Sequence, residues 1–303
     1  MELIETVAGL AAWADQVRAG GHRLGLVPTM GALHAGHRSL VERAVAECDA
    51  VVVTVFVNPL QFDDGADLAA YPRTLARDVE TAGAAGASAV FAPTVAEMYP
   101  GYPAPPVTTV TVSGPARQLE GAFRPGHFDG VATVVAKLFA AAGRCRAYFG
   151  EKDYQQLLVV RRLAADLCLP VEVVGCPTVR EPDGLALSSR NVHLTSEQRA
   201  RATVLHRALC QGAAAAAAGE RRPEVICRTV AGVLASEPAV SVDYVAVVDP
   251  GTLTVPETLA GSVRLLVAAR IGDVRLIDNL GATVGAAHSD PLDGLPVLAL
   301  RGA

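Results

Sequence analysis

The residues of this 303-residue chain best placed to do chemistry are His34 and His37, in the stretch Pro28-Thr29-Met30-Gly31-Ala32-Leu33-His34-Ala35-Gly36-His37. An apolar run ends just before this stretch and a helical pattern follows it. Glycine lets a backbone approach a ligand closely, and free N–H groups at a helix start attract phosphate. Imidazoles about one helical turn apart face the same anion and can donate to phosphoryl oxygens as charge develops. The alternative is a tight strand-to-helix turn with incidental histidines.

Four further stretches carry polar groups at turns. Asn58-Pro59-Leu60-Gln61-Phe62 brings two carboxamides, which suit hydroxyls and carboxylates of a small polar substrate, although an Asn-Pro turn can be only a turn. Gly121 to Gly130 sets Arg124 and His127 on a Gly/Pro-rich loop. Arg124 could hold phosphate bidentately, and His127 could equally be structural. Gly150-Glu151-Lys152-Asp153-Tyr154-Gln155-Gln156 offers a compact cation for a transferring phosphoryl group and a carboxylate for ribose hydroxyls. Gly184 to Asn191 gathers Ser188, Ser189 and Arg190, either a clamp over phosphates or an ordinary capped turn.

Other chemistries fit less well. Gly31 to Ser39 reads as a partial P-loop, but His37 stands where the essential Lys belongs, and Val51 to Val57 ends in Asn58 instead of a magnesium-binding Asp. A zinc pair of His34 and His37 lacks a nearby third ligand in sequence, and no metal ligand set is assigned. No Gly-x-Gly-x-x-Gly follows a strand.

The elements that must carry these turns alternate. Apolar runs at 23–27, 50–57, 88–91, 147–149 and 171–175 read as buried strands, with amphipathic segments at 40–47, 74–85, 130–142 and 155–167 between most of them. Tyr71-Pro72-Arg73-Thr74 reads as a helix start. Such alternation predicts an α/β fold, a Rossmann-like parallel sheet with helices on both faces, whose ligands bind beyond the strands' carboxyl ends. After about Thr178 the texture changes to a helix from Thr195 into the Ala213–Ala218 tract, another near 223–236, and strands at 242–248 and 263–269. The expected division is therefore a domain over 1–178 and a smaller α+β lid domain over 179–303, with an aperiodic, mobile tail from His288.

Composition limits the partners. A formal charge of −5 argues against nucleic acid or an anionic membrane as the main partner. Six dispersed cysteines without a Cys-x-x-Cys pair read as buried thiols in a reducing compartment. With no basic leader and no apolar run of about 18 residues, the expected location is the cytoplasm. Of 26 basic side chains only Lys137 and Lys152 are Lys, so each calls for an explanation: Lys137 as a snorkelling, paired or site residue, Lys152 as a site residue.

Together the motifs from Pro28 to Asn191 resemble the pantothenate synthetases (pantoate:beta-alanine ligases), adenylate-forming nucleotidyltransferases with an H-x-G-H signature, here His34-Ala35-Gly36-His37. The resemblance implies ATP along Met30, Gly31, Ala32, Leu33, His34, Ala35, Gly36 and His37, with both histidines at the phosphates. It implies Gly150, Glu151, Lys152, Asp153 and Val179 around the nucleoside, and Leu187, Ser188, Ser189 and Arg190 closing from the second domain. Gln61 and Gln156 would hold pantoate. The implied chemistry is attack of pantoate on the α-phosphorus, then attack of beta-alanine on pantoyl adenylate, with Mg²⁺ on the phosphates and a homodimeric enzyme. The family's clamp usually reads Met-Ser-Ser-Arg, and Leu187 replaces the Met, a swap of similar volume costing under about 1.5 kcal/mol. Competing readings are a related nucleotidyltransferase with another acceptor, a P-loop-like NTPase, and a non-catalytic nucleotide-binding regulator; His34, His37, Lys152 and Arg190 together count against the last.

Overall fold

The computed structural model describes residues 1–63 and 65–286, so the expectation for the tail from His288 lies outside the described residues. Contacts divide the chain after Thr178 into two compact units.

In the first unit the strands are β1 (Glu2–Ile4), β2 (Leu24–Thr29), β3 (Ala50–Val55), β4 (Ala89–Phe91), β5 (Cys145–Gly150) and β6 (Val171–Cys176). The helices are α1 (Val7–Ala19), α2 (Ala35–Glu47), α3 (Gly65–Ala70), α4 (Leu75–Ala84), α5 (Val95–Met98), α6 (Glu120–Phe123), α7 (His127–Ala142) and α8 (Tyr154–Asp166). All six strands pair in parallel, in the order β1-β4-β3-β2-β5-β6. Alternate strand residues point to opposite faces, and both faces are apolar. Leu24, Leu26, Val52, Phe91, Ala147 and Phe149 pack with Leu10 of α1, Phe139 of α7 and Leu163 of α8. Val27, Val51, Val53, Val90 and Tyr148 pack with Leu40, Val41 and Ala44 of α2 and Ala82 of α4.

Chain order reverses between β2 and β5, the switch point where such sheets bind ligands. These two strands also part early. Their pairing stops at Gly25↔Arg146 and Leu26↔Ala147, while β2 stays on β3 to Thr29↔Val55 and β5 stays on β6 to Gly150↔Cys176. Pro28 is the local cause. Thr29 directs its N–H to the Thr54 hydroxyl on β3, so the preceding residue faces β5, and proline has no hydrogen to donate there.

In the second unit α9 (Ser196–Ala202), α10 (Val204–Ala217) and α11 (Pro223–Ala235) accompany an antiparallel sheet of β7 (Val240–Val248), β8 (Ser262–Ile271) and β9 (Val274–Thr283). Leu205, Leu209, Ile226, Leu234, Leu265 and Leu280 are among its core residues.

Several boundaries differ from the sequence reading. β1 and α1 were not expected, and β1 is a three-residue edge strand beyond β4 with no periodicity to read. α2 begins at Ala35, five residues before its apolar stripe, because His34 caps it. The helix expected from Thr195 breaks at Thr203 into α9 and α10, and the sheet gains β9. All six cysteines are free, yet only Cys48, Cys145 and Cys176 are buried, and Cys168 is exposed. Among the described residues, no helix is long and apolar enough to cross a membrane.

Candidate active site

The turn after β2 is shaped by glycine and by a carboxylate from α4. Gly31 sits at φ +85°, and a Cβ there would lie 2.9 Å from Asp78 Oδ2, so both conformation and space require glycine. Ala32 follows at φ 51°, left-handed backbone that is uncommon for a side chain to adopt. Asp78, only 1% exposed, holds this conformation: its carboxylate accepts from Ala32 N (3.1 Å), Leu33 N (2.8 Å) and the Thr74 hydroxyl (3.2 Å). Asp78 was missed in the sequence, where it reads as an ordinary first-turn helix acid.

His34 and His37 stand at the start of α2 with ring centroids 4.1 Å apart. His34 Nδ1 accepts from Gly36 N at 3.1 Å, and His37 Nδ1 accepts from His34 N at 3.4 Å. A backbone N–H can only donate, so each Nδ1 lacks a proton and each neutral ring carries its hydrogen on Nε2. Burial pushes the His34 imidazole down to about 4, and the Lys152 ammonium pushes in the same direction, opposed by Asp153. Burial pushes His37 down to about 3, reinforced by His34 and Lys152 and opposed by Asp153. At neutral pH the turn thus presents two uncharged Nε2–H donors.

Lys152 lies in a 3-10 turn, Glu151–Asp153, at the carboxyl end of β5. Its ammonium is 3.2 Å from Asp153 Oδ1 and its side chain is 17% exposed. Its influence on both imidazoles places its charge in the same electrostatic neighbourhood across the split. Lys137 is explained differently: it rests over the Tyr99 ring, 5.6 Å from the centroid.

Gln61 ends a 3-10 turn, Pro59–Gln61, and is 9% exposed. Asn58 Nδ2 donates to Gln61 Oε1 at 2.9 Å, and Gln61 Nε2 reaches Met30 Sδ at 3.1 Å. The Gln61 carbonyl accepts from Arg124 Nη2 at 3.0 Å and meets His127 Nδ1 at 2.8 Å. Gly130 lets α7 pack against this turn, because a Cβ there would fall 2.2 Å from Leu60 O. Asn58, Arg124 and His127, expected as substrate contacts, are thus engaged with protein groups around the Gln61 turn. Asn58 is 1% exposed with its carboxamide fully engaged, Arg124 also pairs with Asp63 at 2.8 Å, and His127 is 8% exposed against the Gln61 main chain. Burial, helped by Arg124, pushes the His127 imidazole down to about 4.

The adjacent residues Gln155 and Gln156 have opposite fates. Gln155, 3% exposed, donates to Pro115 O and Gln118 O and accepts from Glu120 N. Gln156 lies half-buried in α8, and its carboxamide has no hydrogen-bond partner among the described residues.

In the second unit Val179 and Leu187 to Arg190 come together through a short hairpin. Leu187 N donates to Val179 O at 3.0 Å, Glu181 N donates to Leu185 O at 2.8 Å, and Arg180 pairs with Ala186. Beneath it, Arg180 makes a bidentate ion pair with Asp278 (2.7 and 2.9 Å), both side chains 2% exposed. Ser188 then caps a 3-10 turn, Ser189–His193, by accepting from Arg190 N.

With this geometry in place, comparison with known proteins is decisive. The sequence model of the family described as Pantoate-beta-alanine ligase matches residues 2–281. The chain belongs to the pantoate-beta-alanine ligase family. A pantothenate synthetase of Cereibacter sphaeroides is 53% identical over 279 residues, covering 92% of this chain and 98% of the relative. One from Deinococcus radiodurans is 56% identical over 265 residues, covering 85% and 93%. Among solved structures, pantothenate synthetase from Thermus thermophilus superposes with a TM-score of 0.86 at 51% identity, covering 92% and 99%. A pantoate-beta-alanine ligase from Francisella tularensis, solved in complex with beta-gamma ATP and beta-alanine, gives 0.75 at 32% identity, covering 92% and 97%. The six-stranded parallel sheet and the small antiparallel sheet agree with these ligase structures.

Proposed function

We infer that the chain joins (R)-pantoate to beta-alanine, with ATP cleaved to AMP and pyrophosphate. In the first step a pantoate carboxylate oxygen bonds to the α-phosphorus and the bond to pyrophosphate breaks, giving pantoyl adenylate. In the second the neutral amine of beta-alanine bonds to the acyl carbon, the bond to AMP breaks, and the amine's proton passes to water. No enzyme nucleophile is needed.

The observation that carries the residue assignment is the pair of neutral imidazoles aiming Nε2–H donors from a helix start, within the field of Lys152. Donors fixed before charge develops stabilise the transition state without reorganising. His34 and His37 would donate to the phosphates, and Lys152 would follow charge at the α-phosphate. Met30 to His37 and Gly150 to Asp153 would line the nucleotide. Gln61 and Gln156 would hold pantoate, while Asn58, Arg124 and His127 act through Gln61. The family resemblance adds Val179, Leu187, Ser188, Ser189 and Arg190 as nucleotide contacts, the guanidinium matching phosphate oxygens.

Among the described residues no group of three His, Cys, Asp or Glu side chains could hold a metal ion, so no protein cage for Mg²⁺ is assigned. The ion would arrive with ATP, held mainly by phosphate oxygens and water and offsetting their charge. A cytoplasmic homodimer completes the reading; light scattering of the purified protein tests the assembly. Product analysis tests the reaction: pantoate, beta-alanine and ATP should yield pantothenate, AMP and pyrophosphate in equal amounts. Release of ADP and phosphate would overturn it.

A further inference from the structure

Side-chain amides are symmetric in shape, so their orientation must be set by partners that can only donate or only accept. Two backbone groups do this for Asn58. Leu60 N–H, which can only donate, faces Asn58 Oδ1 at 3.3 Å, and Gly130 C=O, which can only accept, faces Nδ2 at 3.1 Å. Two consequences propagate from that fixed amide. The Tyr99 hydroxyl, 2.9 Å from Asn58 Oδ1, must be the donor. Gln61 must turn Oε1 toward Asn58 Nδ2, which sends its amino group the other way, toward Met30 and the open side of the turn.

Tyr99 is well suited to this task. It is 3% exposed, its ring packs 6.0 Å from that of Phe56, and burial pushes its phenol well above the ordinary range, so it stays protonated. The ammonium of Lys137 lies over the same ring.

We propose that Tyr99 is a positioning residue that, through Asn58, locks Gln61 as a hydrogen-bond donor toward pantoate, so the site selects a substrate oxygen that accepts at this point. Gln156, with its carboxamide unengaged, supplies the adaptable contact. The proposal rests on the reading of Gln61 as a pantoate contact and deepens it.

The test is a double-mutant cycle on the full-length protein, read as KM for pantoate, KM for ATP and kcat. Tyr99→Phe deletes one atom and leaves the ring packing in place. It should raise the pantoate KM about tenfold, the equivalent of one neutral buried hydrogen bond, and leave the ATP KM within about twofold. In a Gln61→Ala background the same substitution should add nothing, because its only route to substrate is gone. A packing defect would act equally in both backgrounds, and such additivity overturns the proposal, as does a silent Tyr99→Phe beside a damaging Gln61→Ala. If Gln61→Ala itself leaves the pantoate KM unchanged, the assignment of Gln61 to pantoate falls, and the proposal falls with it.

Discussion

The histidine turn and the glutamine turn lie at the carboxyl ends of neighbouring strands, yet they are built in opposite ways. The histidines are oriented by bonds spanning two or three residues, Gly36 N to His34 and His34 N to His37, with Asp78 as the one distant brace. Gln61 has one local partner, Asn58 three residues back, and is otherwise held from afar: by Met30, by Tyr99 through Asn58, and by Arg124 and His127 at or just before the start of α7. A locally built turn behaves as a fixed donor array, suited to charge that appears only in the transition state. A turn braced by three distant segments suits recognition of one ground-state ligand. Substitutions in the first should therefore change rate, and those around the second should change pantoate affinity.

The largest effect is expected at His37. His37→Ala should slow adenylation roughly 10²- to 10³-fold, as loss of one preorganised donor does, with little change in the ATP KM. Rapid-quench formation of pantoyl adenylate measures it, and a near-normal rate in a folded variant would return His37 to a capping role. Lys152→Arg should follow, losing roughly tenfold to a hundredfold in the same assay at unchanged melting temperature, because a planar guanidinium replaces a compact ammonium. Full activity would remove Lys152 from the catalytic set.

Around Gln61 the expected effects are smaller and fall on KM. Arg124→Ala should raise the pantoate KM about fivefold to tenfold by freeing the Gln61 carbonyl, since a hydrogen bond to a charged group contributes about 1.5–3 kcal/mol, partly replaced by water. A loss confined to kcat would contradict the division of labour between the two turns.

Acid should reach both turns through the imidazoles. His34, His37 and His127 have folded values near 4, 3 and 4, below the ordinary 6.5. Between those values and 6.5 the unfolded chain binds more protons, so stability increases with pH and is lost as pH falls from 6.5 toward 4. The melting temperature should drop over that window, with a shallower slope in His37→Asn. Catalysis should show no ionisation of His34, His37 or His127 between pH 6 and 8. The smallest effect is expected for Leu187→Met, under about 1.5 kcal/mol in ATP binding by calorimetry.

The same contrast explains what could be read from the chain. The strand-to-helix turn that carries His34 and His37 was legible because their spacing and the flanking glycines act locally, and the alternating apolar runs gave the sheet with helices on both faces. Asp78 was not legible, since its partners lie 45 and 46 residues away. Nor was the turning of Arg124 and His127 onto the Gln61 main chain, which requires knowing that α7 packs on that turn. Gln155 and Gln156 are indistinguishable by type, and only the helix decides which faces the 115–120 loop. β1 was too short to show a period, and the His34 cap hid the true start of α2.

Isotope exchange between pyrophosphate and ATP tests the central claim, a free pantoyl adenylate made by the split edge of the first unit, most directly. Exchange should require pantoate, proceed without beta-alanine, and fall in His37→Ala and Lys152→Arg in step with single-turnover adenylation. Exchange that needs beta-alanine, or that ignores pantoate, would contradict it.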